Sequence, residues 1–271
     1  MTIGEALADA SRRLKASGVP AAHAEALALW GVVSPVRHVD RSATADTAVL
    51  ARFRAIVERR AAREPFSHIS GRRLFYNSSF YVTPDVLDPR AETETLVELA
   101  CSEPVARVLD LGTGTGCILI SLLLEQPGAT GVGTDISAKA LQIARKNGNQ
   151  HSVADRLSWL VSNWFHDVEG RFDLIVANPP YIAMAEMNDL QPEVRDYEPR
   201  IALTDGADGL SAYKVIAAGA RDHLTGNGRV LVEIGPTQAA DVSDIFGAAR
   251  LSDIRIYQDL DGRDRVVAAR A

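Results

Sequence analysis

From about residue 105 onward, short apolar runs alternate with segments of helical spacing, and this alternation constrains the fold more than any other feature. The runs "ARVLDLG", "ATGVGTDI", "LSWLVSNW", "FDLIVANP", "GRVLVEIG", "IRIYQDL" and "DRVVAAR" read as strands. Between them, "CILISLLLEQ", "SAKALQIARKNGNQ", "LSAYKVIAAGARDHL" and "TQAADVSDIFGAA" repeat their apolar residues at helical intervals. Strands separated by helices pair in parallel, because each crossover helix must pack back on a face of the sheet. The expected fold class is therefore α/β, a Rossmann-like doubly wound sheet. The last two strands have no helix between them, which predicts an antiparallel finish at one edge.

The chain before residue 65 differs. It is Ala-rich, and Leu7, Leu14, Ala24, Leu27, Leu29, Trp30, Val49, Leu50, Phe53, Ile56 and Val57 recur at helix-like spacings. Thr44 or Asp46 caps the third predicted helix. That helix and the segment after it are basic, with Arg52, Arg54, Arg59, Arg60, Arg63, Arg72 and Arg73 facing Glu58 and Glu64. Such a run reads as a solvated helix face or as a docking surface for an acidic macromolecule. The stretch "FSHISGRRLFYNSSFYVTP" alternates aromatic and β-branched residues with polar ones and predicts a hairpin. The expected organisation is a helical bundle over 1–64, a linker hairpin over 65–86 and a larger domain over 87–271.

Composition excludes several classes. Of 271 residues, 46% are hydrophobic and 24% charged, as in ordinary globular proteins. No apolar run reaches the roughly 18–20 residues of a membrane helix, so no membrane association is expected. The amphipathic start does not resemble a signal peptide, which makes the cytoplasm the expected compartment. Cys101 and Cys117 are too few for a disulfide framework. His23, His38, His68, His151, His166 and His223 lack ligand spacing, so no metal site is expected. A formal charge of −6 argues against bulk nucleic acid as the main partner.

"VLDLGTGTGC" follows the first strand of the alternating region and opens a helix. Gly112, Gly114 and Gly116, with Thr113 and Thr115 between them, let the backbone turn tightly and approach a ligand. The pattern is not the dinucleotide pattern G-x-G-x-x-G. With Asp110 two residues ahead, it resembles the first motif of class I S-adenosylmethionine (AdoMet) methyltransferases. A cationic ligand without phosphate suits a nearby acid. Asp135, ending the next strand, is placed to accept ribose hydroxyls or to cap the following helix, a task open also to Ser137. Trp164, after the third strand, either lies against an adenine ring or packs in the core.

The fourth strand ends in "NPPY". Pro179 and Pro180 cannot donate to a sheet and have φ near −65°, so the strand must stop on a stiff turn. That turn holds the Asn178 amide at the same sheet edge as the glycines. A conjugated NH₂ is a weak nucleophile, and two acceptors aimed at its hydrogens would orient it and favour positive charge on nitrogen. Asn178 Oδ1 and the Pro179 carbonyl are such acceptors, with Tyr181 to pack against the planar group. The turn specifies a conjugated NH₂, in protein or in a nucleic-acid base.

With both motifs in place, the chain resembles the HemK/PrmC family, the protein-(glutamine-N5) methyltransferases of peptide chain release factors. "EPFSHISGRRLFYNSSFYVTP" is similar to that family's linker hairpin. "LDPRAETETLVE" (87–98) and "EVRDYEPRIALTDGADGLSAY" (193–213) are similar to two further family segments. The resemblance implies a class I methyltransferase domain behind an N-terminal bundle that helps dock the release factor. It implies AdoMet contacts at Asp110, Gly112, Thr113, Gly114, Thr115, Gly116, Asp135, Asn163, Trp164 and Asn178. The substrate glutamine, in a Gly-Gly-Gln loop, is implied at Asn178, Pro179, Pro180 and Tyr181, with Arg90 nearby. Departures occur at Asp88, where relatives carry an aliphatic residue, at Ala91, where they carry proline, and at Asn163, often Asp. The alternatives are an N6-adenine or N4-cytosine DNA methyltransferase and a non-catalytic AdoMet-binding scaffold for translation factors. A monomer without a stable nucleic-acid partner is expected.

Overall fold

The computed structural model describes residues 1–34 and 39–271, and these fall into two units. The first comprises Met1–Gly71 together with Gln191–Tyr197. Helix α1 (Ile3–Ala16) starts on a reciprocal cap: Glu5 N donates to Thr2 Oγ1, and Thr2 N donates to Glu5 Oε2. It is followed by α2 (Ala22–Val33) and α3 (Thr47–Ala61). Asp46, not Thr44, caps α3, accepting from Ala48 N and Val49 N at 2.9 and 3.0 Å. The three helices bury Leu7, Leu14, Leu29, Trp30, Phe53 and Val57, with Trp30 edge-on to Phe53 at 5.0 Å between ring centroids. Each such side chain contributes on the order of 1.5–3 kcal/mol when fully buried.

The basic run is not uniformly a solvated face. Arg60 is only 5% exposed and pairs with Glu25 at 3.1 Å and with Glu193 at 3.0 Å. Glu193 also takes Arg63 Nη2 at 2.6 Å, and Tyr197 OH donates to the Ala62 carbonyl. A buried guanidinium is tolerated only when paired in this way. The pairs clip a segment distant in sequence, containing the helical turn Pro192–Arg195, onto α3.

The expected hairpin begins later than the sequence pattern. Pro65 starts a short helix, α4 (Phe66–Ser70), which Gly71 ends at φ +71°. Only then come β1 (Arg72–Phe75) and β2 (Ser78–Tyr81), joined through Tyr76 and Asn77, both at positive φ. Two such residues make the turn that matches the twist of a two-residue hairpin. The second unit, Arg72–Leu190 and Glu198–Ala271, thus begins with this hairpin.

It continues with α5 (Glu94–Cys101), β3 (Arg107–Leu111), α6 (Cys117–Glu125), β4 (Thr130–Asp135), α7 (Ala138–Gln150), β5 (Leu157–Val161) and β6 (Phe172–Ala177). The helix Ser211–His223 leads into β7 (Leu224–Glu233), and the helix Ala239–Ala248 precedes β8 (Ser252–Gln258) and β9 (Asp264–Arg270). Among the described residues these strands form a sheet of order β5-β4-β3-β6-β7-β9-β8. Strands β3 to β7 pair in parallel, and β9 is antiparallel to both β7 and β8. The antiparallel finish is present, but β8 forms the edge and the last strand lies inside it.

Side chains alternate across the sheet. Leu109, Leu111, Ile175, Val230 and Val232 face the core under the two C-terminal helices, whereas Val108, Leu174, Val176 and Leu231 face the core under α5 and α6. Strand order reverses at β3, whose neighbours are β4 on one side and β6 on the other. The crevice beyond the carboxyl ends of these strands is where open sheets bind ligands. No helix among the described residues is long and apolar enough to cross a membrane.

Candidate active site

A cavity of about 400 Å³ opens at that crevice. Its wall combines the β3–α6 loop, the ends of β4, β5 and β6, the segment before α5, and the start of the helix Ser211–His223. Gly112, Thr113, Gly114, Thr115, Asp135, Asn163, Trp164, Asn178, Pro179, Pro180 and Arg90 all line it. Residues from five separate stretches of sequence therefore meet around one space.

Gly112 and Gly114 adopt φ of +71° and +54°, and a Cβ built on either meets nothing within 4 Å. Side chains there would fill cavity that a ligand needs, and L-residues resist that backbone. Gly116 has a different task. A Cβ on it would come within 3.1 Å of Ile120 and Trp159 and 3.2 Å of Ala144. Its place is against α6, α7 and β5 behind the wall, not on the wall as expected.

Asp110 also lies behind the wall. Its carboxylate is fully buried, with Oδ2 accepting from Thr113 Oγ1 at 2.5 Å and Oδ1 unpartnered. Burial, opposed by the Thr113 hydrogen bond, pushes it up to about 7. A residue on the apolar face of β3 can reach the loop only from beneath, which is what corrects the expectation of direct contact.

Asp135 is exposed to the cavity. Oδ2 accepts from Gly114 N at 2.9 Å and Oδ1 from Ser137 N at 2.8 Å, so its carboxylate braces the glycine loop. Ser137 performs the cap of α7, its Oγ accepting from Ala140 N. The remaining lone pairs of Asp135 stay available on the cavity side. Burial raises its pKa while the two backbone N–H groups oppose the rise.

Trp164 packs against the sheet core and also lines the cavity. It sits at φ +54°, and its carbonyl accepts from Ser162 Oγ at 2.9 Å, which holds the loop in that conformation. Among the described residues the wall carries Asp85, Asp88, Asp135 and Asp205 against one base, Arg90. This balance favours a cationic ligand and disfavours phosphate.

On the other side, Asn178 Nδ2 donates to Thr93 Oγ1 at 3.1 Å. Pro179 and Pro180 follow along the wall, but the Tyr181 ring packs behind the turn against the sheet core. Its carbonyl accepts from Gln238 Nε2 at 3.0 Å, and burial beside Glu233 pushes its phenol up to about 12. Tyr181 thus supports the turn and is absent from the cavity surface. Arg90 Nη2 reaches both oxygens of Glu198, at 2.7 and 2.6 Å. Burial pushes Glu198 up to about 7 against the attraction of Arg90, and Asp88, itself buried, adds to the rise.

Several wall and support residues were given no role by the sequence reading: Thr93 within "LDPRAETETLVE", Ile201 and Asp205 within "EVRDYEPRIALTDGADGLSAY", and Val215, with Glu233 behind. Glu233 carried one signal, a lone acid closing the apolar run "RVLVE" at the ligand-side end of a strand. Among the described residues no group of three or more His, Cys, Asp or Glu could hold a metal ion, and His38 lies outside the described residues.

Comparisons with known proteins agree along the length of the chain. Residues 85–192 match the Methyltransferase small domain family, and residues 5–71 match the PrmC N-terminal domain. The release factor glutamine methyltransferase of Cereibacter sphaeroides is 48% identical, the match covering 100% of this chain and 99% of that one. The protein of the same name from Agrobacterium fabrum is 41% identical over 99% of this chain and 97% of its own. A methyltransferase structure from Pyrococcus furiosus has the same fold, with TM-score 0.57 and 15% identity, covering 79% of this chain and 98% of that one. On this identity, and with both halves matched, the chain belongs to the release factor glutamine methyltransferase family.

Proposed function

We propose that the protein transfers a methyl group from S-adenosylmethionine to the side-chain amide nitrogen of the glutamine in the Gly-Gly-Gln motif of class I peptide chain release factors. The observation that carries this reading is the Asn178-Pro179-Pro180 turn on the wall of the same cavity as the glycine cradle. Family membership narrows the conjugated NH₂ that such a turn accepts to a glutamine amide.

The residues present fit AdoMet. The open space over Gly112 and Gly114 would accommodate its amino-acid part, Asp135 would offer lone pairs to the ribose hydroxyls, and Asn163 with Trp164 would border the adenine. Asp110 Oδ1, buried without a partner, supplies negative charge beneath the loop. Bound there, AdoMet supplies an electrophilic methyl carbon on a positively charged sulfur.

The chain's own residues then have positioning tasks. Asn178 Oδ1 and the Pro179 carbonyl accept from the two hydrogens of the glutamine NH₂ and direct its nitrogen at the methyl carbon. Both bonds strengthen as nitrogen becomes positive, which lowers the barrier selectively. The extra proton on the methylated nitrogen would leave to solvent after transfer, so these residues need not include a general base acting beforehand. Pro179 and Pro180 keep the acceptors from drifting, and Arg90, anchored by Glu198, borders the substrate side.

The helical unit is assigned to docking the release factor, the protein acts as a monomer, and the acidic wall opposes a nucleic-acid substrate. Transfer of labelled methyl from AdoMet to a purified release factor tests the reading. Labelling is expected with the intact Gly-Gly-Gln motif and none when that glutamine is replaced by alanine; equal labelling of both overturns it.

A further inference from the structure

Beneath the glycine loop lies an amide that the mechanism above does not use. Helix α7 turns Ala140, Leu141, Ala144, Asn147 and Gly148 toward the interior, and Asn147 is fully buried. An amide costs free energy at such a place unless its hydrogen bonds are made. Here the oxygen and both N–H groups have partners. Asn147 Oδ1 accepts from Tyr81 N at 2.8 Å, while Nδ2 donates to the Tyr81 carbonyl at 3.0 Å and to the Thr115 carbonyl at 2.9 Å.

The backbone around this amide sets its sense. Tyr81 offers an N–H and a carbonyl, and Thr115 offers a second carbonyl. A flipped amide would set its oxygen against both carbonyls and its NH₂ against the N–H. The loop has few other holds. Thr113 N donates to the Thr134 carbonyl at 2.8 Å, Gly114 N donates to Asp135, and Ile120 N donates to the Gly116 carbonyl at the head of α6. Between these points the Thr115 carbonyl takes its donor from Asn147. Thr115 lines the cavity with Gly112 and Gly114, so this bond fixes a peptide of the cavity wall from the side away from a ligand. The other end of the bridge is Tyr81, the last residue of β2. That strand is held to α7 also by Gln150 Nε2, which donates to the Ser79 carbonyl at 2.6 Å, and by Lys146 Nζ, 3.1 Å from the centroid of the Tyr81 ring.

We propose that Asn147 is a positioning residue for the cofactor: it holds the Thr115 peptide, with the hairpin as its fixed point, so that the glycine loop keeps the shape that receives the amino-acid part of AdoMet. The inference rests on the reading of that loop given above. Gly114 and Gly116 flank Thr115, and glycine leaves the backbone wide freedom. Without the Asn147 bond, the Thr115 peptide rotates between them and the loop samples shapes that do not fit. The loss falls on the part of the ligand above the loop. It spares the nucleoside, which is assigned to Asp135, Asn163 and Trp164.

The test uses the full-length protein with Asn147→Asp, which keeps the side-chain shape but loses the donors when ionised, and Asn147→Ala, which removes the whole bridge. Calorimetry measures Kd for S-adenosylhomocysteine and for 5′-methylthioadenosine, which share the nucleoside and a neutral sulfur and differ in the amino-acid part. Both variants are expected to raise Kd for S-adenosylhomocysteine about tenfold, the scale of one buried hydrogen bond. Kd for 5′-methylthioadenosine should move by less than about threefold, and KM for AdoMet should rise while kcat at saturation is kept. Gln150→Ala loosens the hairpin without touching Thr115 and should leave both Kd values within about threefold. In the wild type, the Tyr81 amide resonance should shift with S-adenosylhomocysteine and not with 5′-methylthioadenosine, a readout that needs no variant to fold. An unchanged Kd for S-adenosylhomocysteine overturns the proposal, as do equal losses for the two ligands, equal Tyr81 shifts, or a Gln150→Ala loss as large as that of Asn147→Ala. A wild type that binds neither ligand would instead overturn the cofactor reading beneath it. No methyl acceptor is present in these binding measurements, so they stand apart from the glutamine-to-alanine test of the proposed function.

Discussion

Gly209 lies directly over the carbonyl of Tyr181: a Cβ built on it would stand 2.2 Å from that oxygen. Gly209 also has φ +78°, a conformation costing other residues about 1–2 kcal/mol. The loop around it is pinned by Asp205, which accepts from Ala207 N, Gly209 N and Ser211 N at 2.8, 3.0 and 2.9 Å. The "TDGADGLSAY" segment is thus a buttress for the Asn-Pro-Pro-Tyr turn.

Gly209→Ala must therefore push the turn. Displacements near 1 Å cost on the order of 100-fold in rate where positioning is the catalytic task. We expect kcat to fall by about that factor, with AdoMet affinity nearly unchanged because the glycine cradle lies elsewhere. Steady-state kinetics with AdoMet titration calorimetry checks this, and an unaltered kcat would show that the turn is not held from Gly209.

Under the proposed mechanism, Asn178→Ala removes one acceptor for the substrate NH₂. Loss of a single preorganised hydrogen-bonding group costs roughly 10²–10³-fold in kcat. AdoMet affinity should survive, since the cradle and Asp135 are intact. A parallel collapse in AdoMet binding would place Asn178 mainly at the donor.

Asp110 provides a proton-linked prediction. Burial holds it up to about 7 without ligand. A cationic ligand above the loop favours the charged carboxylate and lowers that value, so binding releases a proton. AdoMet affinity should rise with pH through about 7 and level off above it. Calorimetry in buffers of different ionisation enthalpy measures the released proton, and Asp110→Asn should remove both the release and the pH dependence.

Asp205 acts on the acid side. Burial raises its pKa, but the Ser211 hydroxyl and the N–H groups of Ser211, Ala207 and Gly209 outweigh this and hold it down to about 2. Its folded value lies below the ordinary 3.8, so the stabilisation is complete above that pH and is lost as pH falls through about 2. Urea denaturation across this window should show a slope that flattens in Asp205→Asn. An unchanged slope would mean that the loop is not ordered through its carboxylate.

The parallel sheet, the ligand edge and the two motifs were legible in the sequence because they rest on local chemistry. Period-two runs, alternating glycines and consecutive prolines each restrict the backbone within a few residues. The position of β9 was partly legible too. Its core "VVAA" is apolar on both faces, as befits a strand with neighbours on each side, whereas exposed Arg255 and Gln258 mark β8 as the edge. The early helix at Phe66–Ser70 was missed because a five-residue segment shows too little periodicity to separate helix from strand.

What the sequence by itself determined was which residues reach the carboxyl edge of the sheet: the glycines, Asp135, Trp164 and the Asn-Pro-Pro turn. Only the tertiary structure decided which of them face the cavity and which stand behind it. Asp110, Gly116 and Tyr181 share the motifs but lie behind the wall, because strand alternation and helix packing turn them there. Thr93 meets Asn178 across 85 residues of chain, and Gly209 meets Tyr181 through a loop with its own internal cap. Motifs record local backbone needs, whereas the partner of a buried polar atom is chosen by whichever distant segment the packed core brings within hydrogen-bond reach.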